Sequence, residues 1–193
     1  MKDDTMELST TEEKQRERIR DLESENAHLR LQLAIMSSTD PVTGLANRAG
    51  VVDSIEVALN RLPRMREPFA VVGVRFPQIA ILDDEDLRVD AVRDLGALLA
   101  AGLRNVDRVG RIDDTTFIAI LANIPADHVS TVTGRTREML GSLVEVAGLP
   151  ESTLKPGLCA VSVVDPETES NPMTLLDTVS TRLTDGSQDL LII

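Results

Sequence analysis

Aromatic side chains are scarce in this sequence: its 193 residues include three Phe and neither Trp nor Tyr. Proteins that bind single-stranded nucleic acid stack the bases on aromatic side chains, so the composition does not favour that function. Positive charge is scarce as well, because 20 Lys and Arg stand against 32 Asp and Glu, which gives a net charge of -12. The electrostatic field of this negative charge repels duplex nucleic acid and anionic membrane surfaces. We therefore expect neither nucleic acid nor a membrane as a partner.

Cysteine occurs once, as Cys159, which excludes an intrachain disulfide and a cysteine zinc site. This residue lies in an apolar run, where a buried and inert thiol is expected. The two histidines, His28 and His128, lack metal-ligand spacing, and we expect both to face solvent. The sequence thus predicts no metal site and no cofactor. It contains neither a signal peptide nor an apolar run of membrane length, so we expect a cytoplasmic protein.

Residues 1–38 are expected to form a coiled-coil dimerisation helix, because residues 8–37 lack Gly and Pro and show a heptad repeat. The seam consists of Ile19, Leu22, Asn26, Leu29, Leu33 and Met36. An Asn at an a position lowers stability but pairs with its copy in a parallel dimer. In the same register Arg18 of one helix would face Glu23 of the other. One amphipathic helix that packs on its own domain is the alternative.

From residue 39 to residue 193 the pattern alternates between strands and helices, and residues 37–41 offer caps for a further helix. Strands are expected at 69–76, 107–112, 115–121, 157–164 and 189–193, and helices at 84–103, 126–146 and 173–183. Two residues, Asp113 and Asp114, separate the second and third strands, which is the length of a tight hairpin. Helices between strands of one sheet indicate an α+β fold, an α/β sandwich.

The stretch Asp-Pro-Val-Thr-Gly-Leu-Ala-Asn-Arg at residues 40–48 resembles the opening motif of GGDEF domains, the diguanylate cyclases, in which Val42 is usually Leu. The order of elements that follows is similar too, and the resemblance covers roughly residues 40–193. It implies a nucleotide-cyclase-like central sheet flanked by helices. The family condenses two GTP molecules into cyclic di-GMP. In this family, carboxylates hold divalent metal, and glycines let the hairpin backbone approach the phosphates. Cations near the carboxyl terminus bind the triphosphate.

The signature hairpin of that family aligns with Asp113, Asp114, Thr115, Thr116 and Phe117. Its two glycines are thus replaced by aspartates, and its two acids by threonines, which do not replace carboxylates on magnesium. The metal-binding Asp of the first strand aligns with Gly73, and residues 184–188 offer no cation. On these departures we expect a degenerate GGDEF domain that has no catalytic residues and is not an enzyme.

The family also carries a product-inhibition site, Arg-x-x-Asp, five residues before the hairpin signature. Arg104 and Asp107 stand at this spacing, and Arg135 aligns with a further arginine of the family site. Guanidinium groups offer paired donors to phosphate or guanine, and a carboxylate accepts the guanine imino and amino protons. A surface ion pair at the end of a helix is the alternative reading of Arg104 and Asp107.

The resemblance therefore predicts a dimeric receptor for cyclic di-GMP with an unidentified protein partner. A dimeric scaffold that docks a protein without binding any nucleotide is the second hypothesis.

Overall fold

In a computed structural model of the chain, the described residues are 15–16, 18–23, 25–26, 29, 38–146, 156–187 and 190–193. The chain divides into two compact units, Met1–Ser37 and Ser38–Ile193. The described residues of the first unit are helical and exposed. Of the predicted seam, Leu33 and Met36 lie outside the described residues. Three seam side chains are about half exposed in the single chain, Ile19 at 54%, Leu22 at 47% and Leu29 at 50%. The coiled-coil dimer stays a prediction.

The second unit is built around one mixed five-stranded sheet. In chain order its described elements are α1 (Arg48–Met65), β1 (Phe69–Arg75), a 3-10 helix (Pro77–Ile81), α2 (Glu85–Ala101), β2 (Arg108–Arg111), β3 (Thr116–Leu121), α3 (Ala126–Val146), β4 (Gly157–Val163), α4 (Pro172–Thr184) and β5 (Leu190–Ile192). The strand order is β2-β3-β1-β4-β5. β4 and β5 are parallel, and the other neighbouring strands are antiparallel.

Alternate side chains of the central strand β1 enter two separate cores, because successive residues of a strand point to opposite faces of the sheet. Val72 and Val74 join the core that contains α2 and α3. Phe69 and Val71 join the core that contains α1 and α4. Helices thus cover both faces of the sheet, and the predicted α+β sandwich is confirmed.

Two local expectations about turns and caps are wrong. The side chain that caps α1 is Asn47, which accepts from the backbone N of Gly50 at 3.1 Å. The β2–β3 connection has four residues, 112–115, and not two, and the backbone N of Ile112 donates to the carbonyl of Thr116 across it at 3.0 Å. No helix within the described ranges is long and apolar enough to cross a membrane.

Candidate functional site

Asp107 is an anchor at the start of β2, and its side chain is only 2% exposed. Its Oδ2 accepts from the backbone N and the Nε of Arg104, at 3.0 and 3.1 Å. Its Oδ1 accepts from Arg104 Nη2 at 2.9 Å and from the backbone N of Ala122 at 3.1 Å. A carboxylate offers about four acceptor positions, and these four hydrogen bonds occupy all of them. Asp107 therefore closes the turn after α2 and ties it to the end of β3.

Arg104 extends from this anchor towards solvent, with 56% of its side chain exposed. Its Nη2 also donates to the carbonyl of Ala122 at 2.9 Å. The hydrogen bond to Asp107 raises the pKa of the Arg104 guanidinium, burial opposes the rise, and attraction to the carboxylate adds to it. Within the described part of the chain, nothing accepts from its Nη1. The guanidinium thus keeps its charge and has donors available for a ligand.

Arg104, Asp107 and Arg135 line one cavity of about 330 Å³, which we name the Arg104 cavity. The structure therefore brings the three predicted ligand-binding residues together, although Arg135 follows Arg104 by 31 positions in the sequence. Their role in binding stays a prediction. Further side chains of α3 that line the cavity were not predicted from the sequence: one is next to Arg135, and two follow it by one turn. They are Thr136, Glu138 and Met139.

The side chains of the signature hairpin bond largely to one another. Asp113 Oδ1 accepts from the backbone N of Thr115 at 2.8 Å and from its hydroxyl at 3.2 Å. Thr115 and Thr116 are buried, with 8% and 3% exposed, and Phe117 lies in the core. Asp114, in contrast, has 91% of its side chain exposed. Asp113 thus stabilises the turn, and Asp114 lies at its exposed edge.

Asp40 connects the opening motif to this hairpin. One carboxylate oxygen accepts from the backbone N and the hydroxyl of Thr43, at 2.9 and 2.7 Å. The other accepts from Arg111 Nη1 at 3.1 Å, and both side chains of this pair are only 13% exposed. Arg111 also pairs with Asp114 at 3.2 Å. The motif residue Asp40 therefore fixes β2 just before the turn.

The residues at the family's metal positions do not fit a divalent cation. A Cβ on Gly73 would lie 2.5 Å from Val179 Cγ1 and 2.6 Å from Leu183 Cδ1, so α4 fills the space that a carboxylate would need. The hydroxyl of Thr115 is bonded to Asp113. Residues 38–146, 156–187 and 190–193 contain no cluster of three His, Cys, Asp or Glu suited to a metal.

The sequence of residues 37–188 matches the family described as diguanylate cyclase, GGDEF domain. No curated protein matches the chain. Among solved structures, the diguanylate cyclase SiaD from Pseudomonas aeruginosa, in complex with its activator SiaC, is similar. Identity is 18% and the TM-score 0.66, over 100% of this chain and 78% of that chain.

Two further solved structures share the fold. The coiled coil and GGDEF domain of DgcB from Caulobacter crescentus, in complex with cyclic di-GMP, has 15% identity and a TM-score of 0.70, over 91% of this chain and 97% of that chain. A microbial GGDEF domain, described for its interaction with cyclic di-GMP, has 15% identity and a TM-score of 0.66, over 83% of this chain and 99% of that chain.

The family match corrects one expectation from the sequence. Because the matching family consists of diguanylate cyclases, it favours an enzyme, and the prediction that the chain is not an enzyme is wrong. That prediction gave too much weight to Thr115, Thr116 and Gly73, and the proposed degeneracy of the signature stays unconfirmed. The match spans most of the sequence and agrees with the sheet order and the helices on both faces. The chain belongs to the GGDEF-domain family of diguanylate cyclases.

Proposed function

We propose that this GGDEF-domain protein binds cyclic di-GMP in the Arg104 cavity. The observation that carries the proposal is the shared cavity itself. Arg104 is held in place by the buried Asp107, and Arg135 faces the same space from α3. Cyclic di-GMP is also the ligand named for the DgcB structure and for the microbial GGDEF domain.

The two arginines of the cavity suit an anionic ligand, although the carboxylates of Asp107 and Glu138 line the same wall. The chain carries a net charge of -12, so an anion needs a local cluster of cations to approach. Arg104 and Arg135 supply two guanidinium groups, whose planar donors suit phosphate oxygens and the guanine Hoogsteen edge. The cavity lies near the lower end of the range for small-molecule pockets, about 300–1,000 Å³. One nucleotide of the dinucleotide therefore enters, and the other stays at the mouth.

Isothermal titration calorimetry of the full chain with cyclic di-GMP tests the proposal. We expect heat of binding for the wild-type protein and a large loss of affinity for Arg104→Ala. Arg93→Ala is the matched control, because Arg93 is also an exposed arginine paired with an aspartate three residues away, Asp90, but does not line the cavity. Absence of heat with the wild-type protein, or an affinity of Arg104→Ala equal to that of the wild type, would contradict the proposal.

Dimerisation through the first unit is part of the same proposal. Ile19, Leu22 and Leu29 present apolar side chains at heptad positions and are about half exposed in the single chain. Burial of such a seam against a second parallel copy would remove this apolar surface from water. A dimer would place two Arg104 cavities in one particle, and an unidentified protein partner would respond to their occupancy.

One observation favours the second candidate, a dimeric module that docks a protein without any nucleotide. The Arg104–Asp107 pair is complete within the chain, since every acceptor position of the carboxylate is used internally. A purely structural pair would look the same. Pull-down of interacting proteins with and without cyclic di-GMP separates the candidates. If the same proteins are captured with and without cyclic di-GMP, and also by Arg104→Ala, the result supports the nucleotide-independent module.

A further inference from the structure

The carboxylate expected to recognise guanine, that of Asp107, is not available to a ligand. It is 2% exposed, and its two oxygens already accept four hydrogen bonds from Arg104 and the backbone N of Ala122. A guanine base would have to displace the arginine that is meant to bind the same ligand. Asp107 is therefore a positioning residue, which acts through Arg104.

A guanine in the cavity still requires an acceptor for its donors. Its Watson–Crick edge carries an imino N–H and an amino group, whereas arginine side chains only donate. Arg104 and Arg135 therefore suit the phosphates or the Hoogsteen edge, not this edge. The hydroxyl of Thr136 donates to the carbonyl of Val132 at 2.9 Å, so it lies against its own helix. The thioether of Met139 accepts weakly.

Glu138 is the remaining acidic side chain of the cavity wall. It is exposed, and it has no hydrogen-bond or ion-pair partner among the residues that the structure describes. It follows Arg135 by three positions in α3, and residues at this spacing share one face of a helix. One nucleotide can thus meet a guanidinium and a carboxylate on neighbouring turns.

Resting on the proposed function, we propose that Glu138 recognises the guanine base and sets the specificity of the Arg104 cavity for cyclic di-GMP. Its two oxygens accept from the imino and amino groups of guanine. Adenine presents a bare ring nitrogen at the imino position, where the carboxylate meets a lone pair instead of a proton. A site that hydrogen-bonds these two donors favours guanine over a base that lacks the imino proton.

The test compares cyclic di-GMP with cyclic di-AMP by calorimetry on the wild-type chain and on Glu138→Gln. A glutamine offers one acceptor and one donor, which suits the adenine edge better than the guanine edge. We expect the wild-type protein to prefer cyclic di-GMP. In Glu138→Gln the affinity for cyclic di-GMP should fall at least tenfold, while the affinity for cyclic di-AMP rises.

Two control variants separate recognition from structure. Asp127→Asn changes an exposed carboxylate of α3 that lies outside the cavity, so both affinities should stay as in the wild type. Asp107→Asn should weaken both dinucleotides by a similar factor and preserve their ratio, because it disturbs the turn and the placement of Arg104 but leaves the Glu138 carboxylate in place. A collapse of the ratio in Asp107→Asn, with Glu138→Gln unchanged, overturns the assignment to Glu138.

The measurements distinguish an error about the role of Glu138 from an error in the proposed function. If Arg104→Ala abolishes binding but Glu138→Gln keeps both affinities within twofold of the wild type, the inference is wrong and the cavity remains the site. If the wild-type protein binds neither dinucleotide, the proposed function is wrong and the inference fails with it.

Discussion

Replacement of Asp107 by asparagine should destabilise the folded chain more than replacement of any exposed aspartate. The change keeps the shape of the side chain but removes its charge and turns one acceptor into a donor. Since the amide keeps one oxygen, one of the two backbone N–H groups, that of Arg104 or that of Ala122, then faces a donor instead of an acceptor, as does one N–H of the Arg104 guanidinium.

The expected loss follows from these contacts. A partly buried backbone N–H left without an acceptor costs about 1–1.5 kcal/mol, the lower part of the usual range. Only one such group arises, because the amide oxygen still accepts from the other backbone N–H. The Arg104 side chain is 56% exposed, so water replaces much of its ion pair, which adds up to about 1 kcal/mol. We therefore expect the free energy of unfolding to fall by about 1–2.5 kcal/mol.

Urea denaturation followed by circular dichroism measures this loss. Asp90→Asn is the control, since Asp90 also pairs with an arginine three residues away but is 66% exposed, and its change should stay within about 0.5 kcal/mol. If Asp107→Asn unfolds at the same urea concentration as the control, the carboxylate does not hold the turn between α2 and β2. The description of Asp107 as an anchor would then be wrong.

Two further predictions concern the sheet and the helix of the first unit. Gly73→Ala should lower the free energy of unfolding by about 1–3 kcal/mol, because its Cβ would overlap α4. Gly134→Ala, which meets no atom within 4 Å, should be neutral or raise it by about 0.5–1 kcal/mol; equal unfolding of the two variants would contradict the packing argument. Light scattering should show a dimer that Leu22→Asp converts to a monomer, whereas the exposed neighbour Asp21→Asn stays dimeric; a monomeric wild-type chain would rule out the coil.

The sheet was predictable because its strands are encoded by local patterns. The β-branched and apolar runs that form β1, β3 and β4 could enter only buried strands. The opening motif and the order of the elements after it indicated the family. A helix after residues 37–41 was expected, but its bounds were not predicted and its cap is Asn47. The predicted length of the β2–β3 turn was wrong as well, because that length depends on which residues of β2 and β3 pair.

The site was only partly predictable, since its chemistry depends on contacts between distant residues. The sequence placed Arg104 and Asp107 three positions apart but did not reveal that Ala122, fifteen residues further on, completes the carboxylate. The pairing of Asp40 with Arg111 spans 71 positions. Glu138 carries no motif, and it became a candidate only when α3 was seen beside the turn after α2.

Calorimetric titration of the wild-type chain and of Arg104→Ala shows whether the Arg104 cavity binds cyclic di-GMP. A hydrogen bond to a charged group contributes about 1.5–3 kcal/mol, so the dissociation constant of Arg104→Ala should rise by about tenfold to a hundredfold. Arg93→Ala should bind as the wild type does. Equal binding by the wild type and Arg104→Ala, or no binding by either, would contradict the claim.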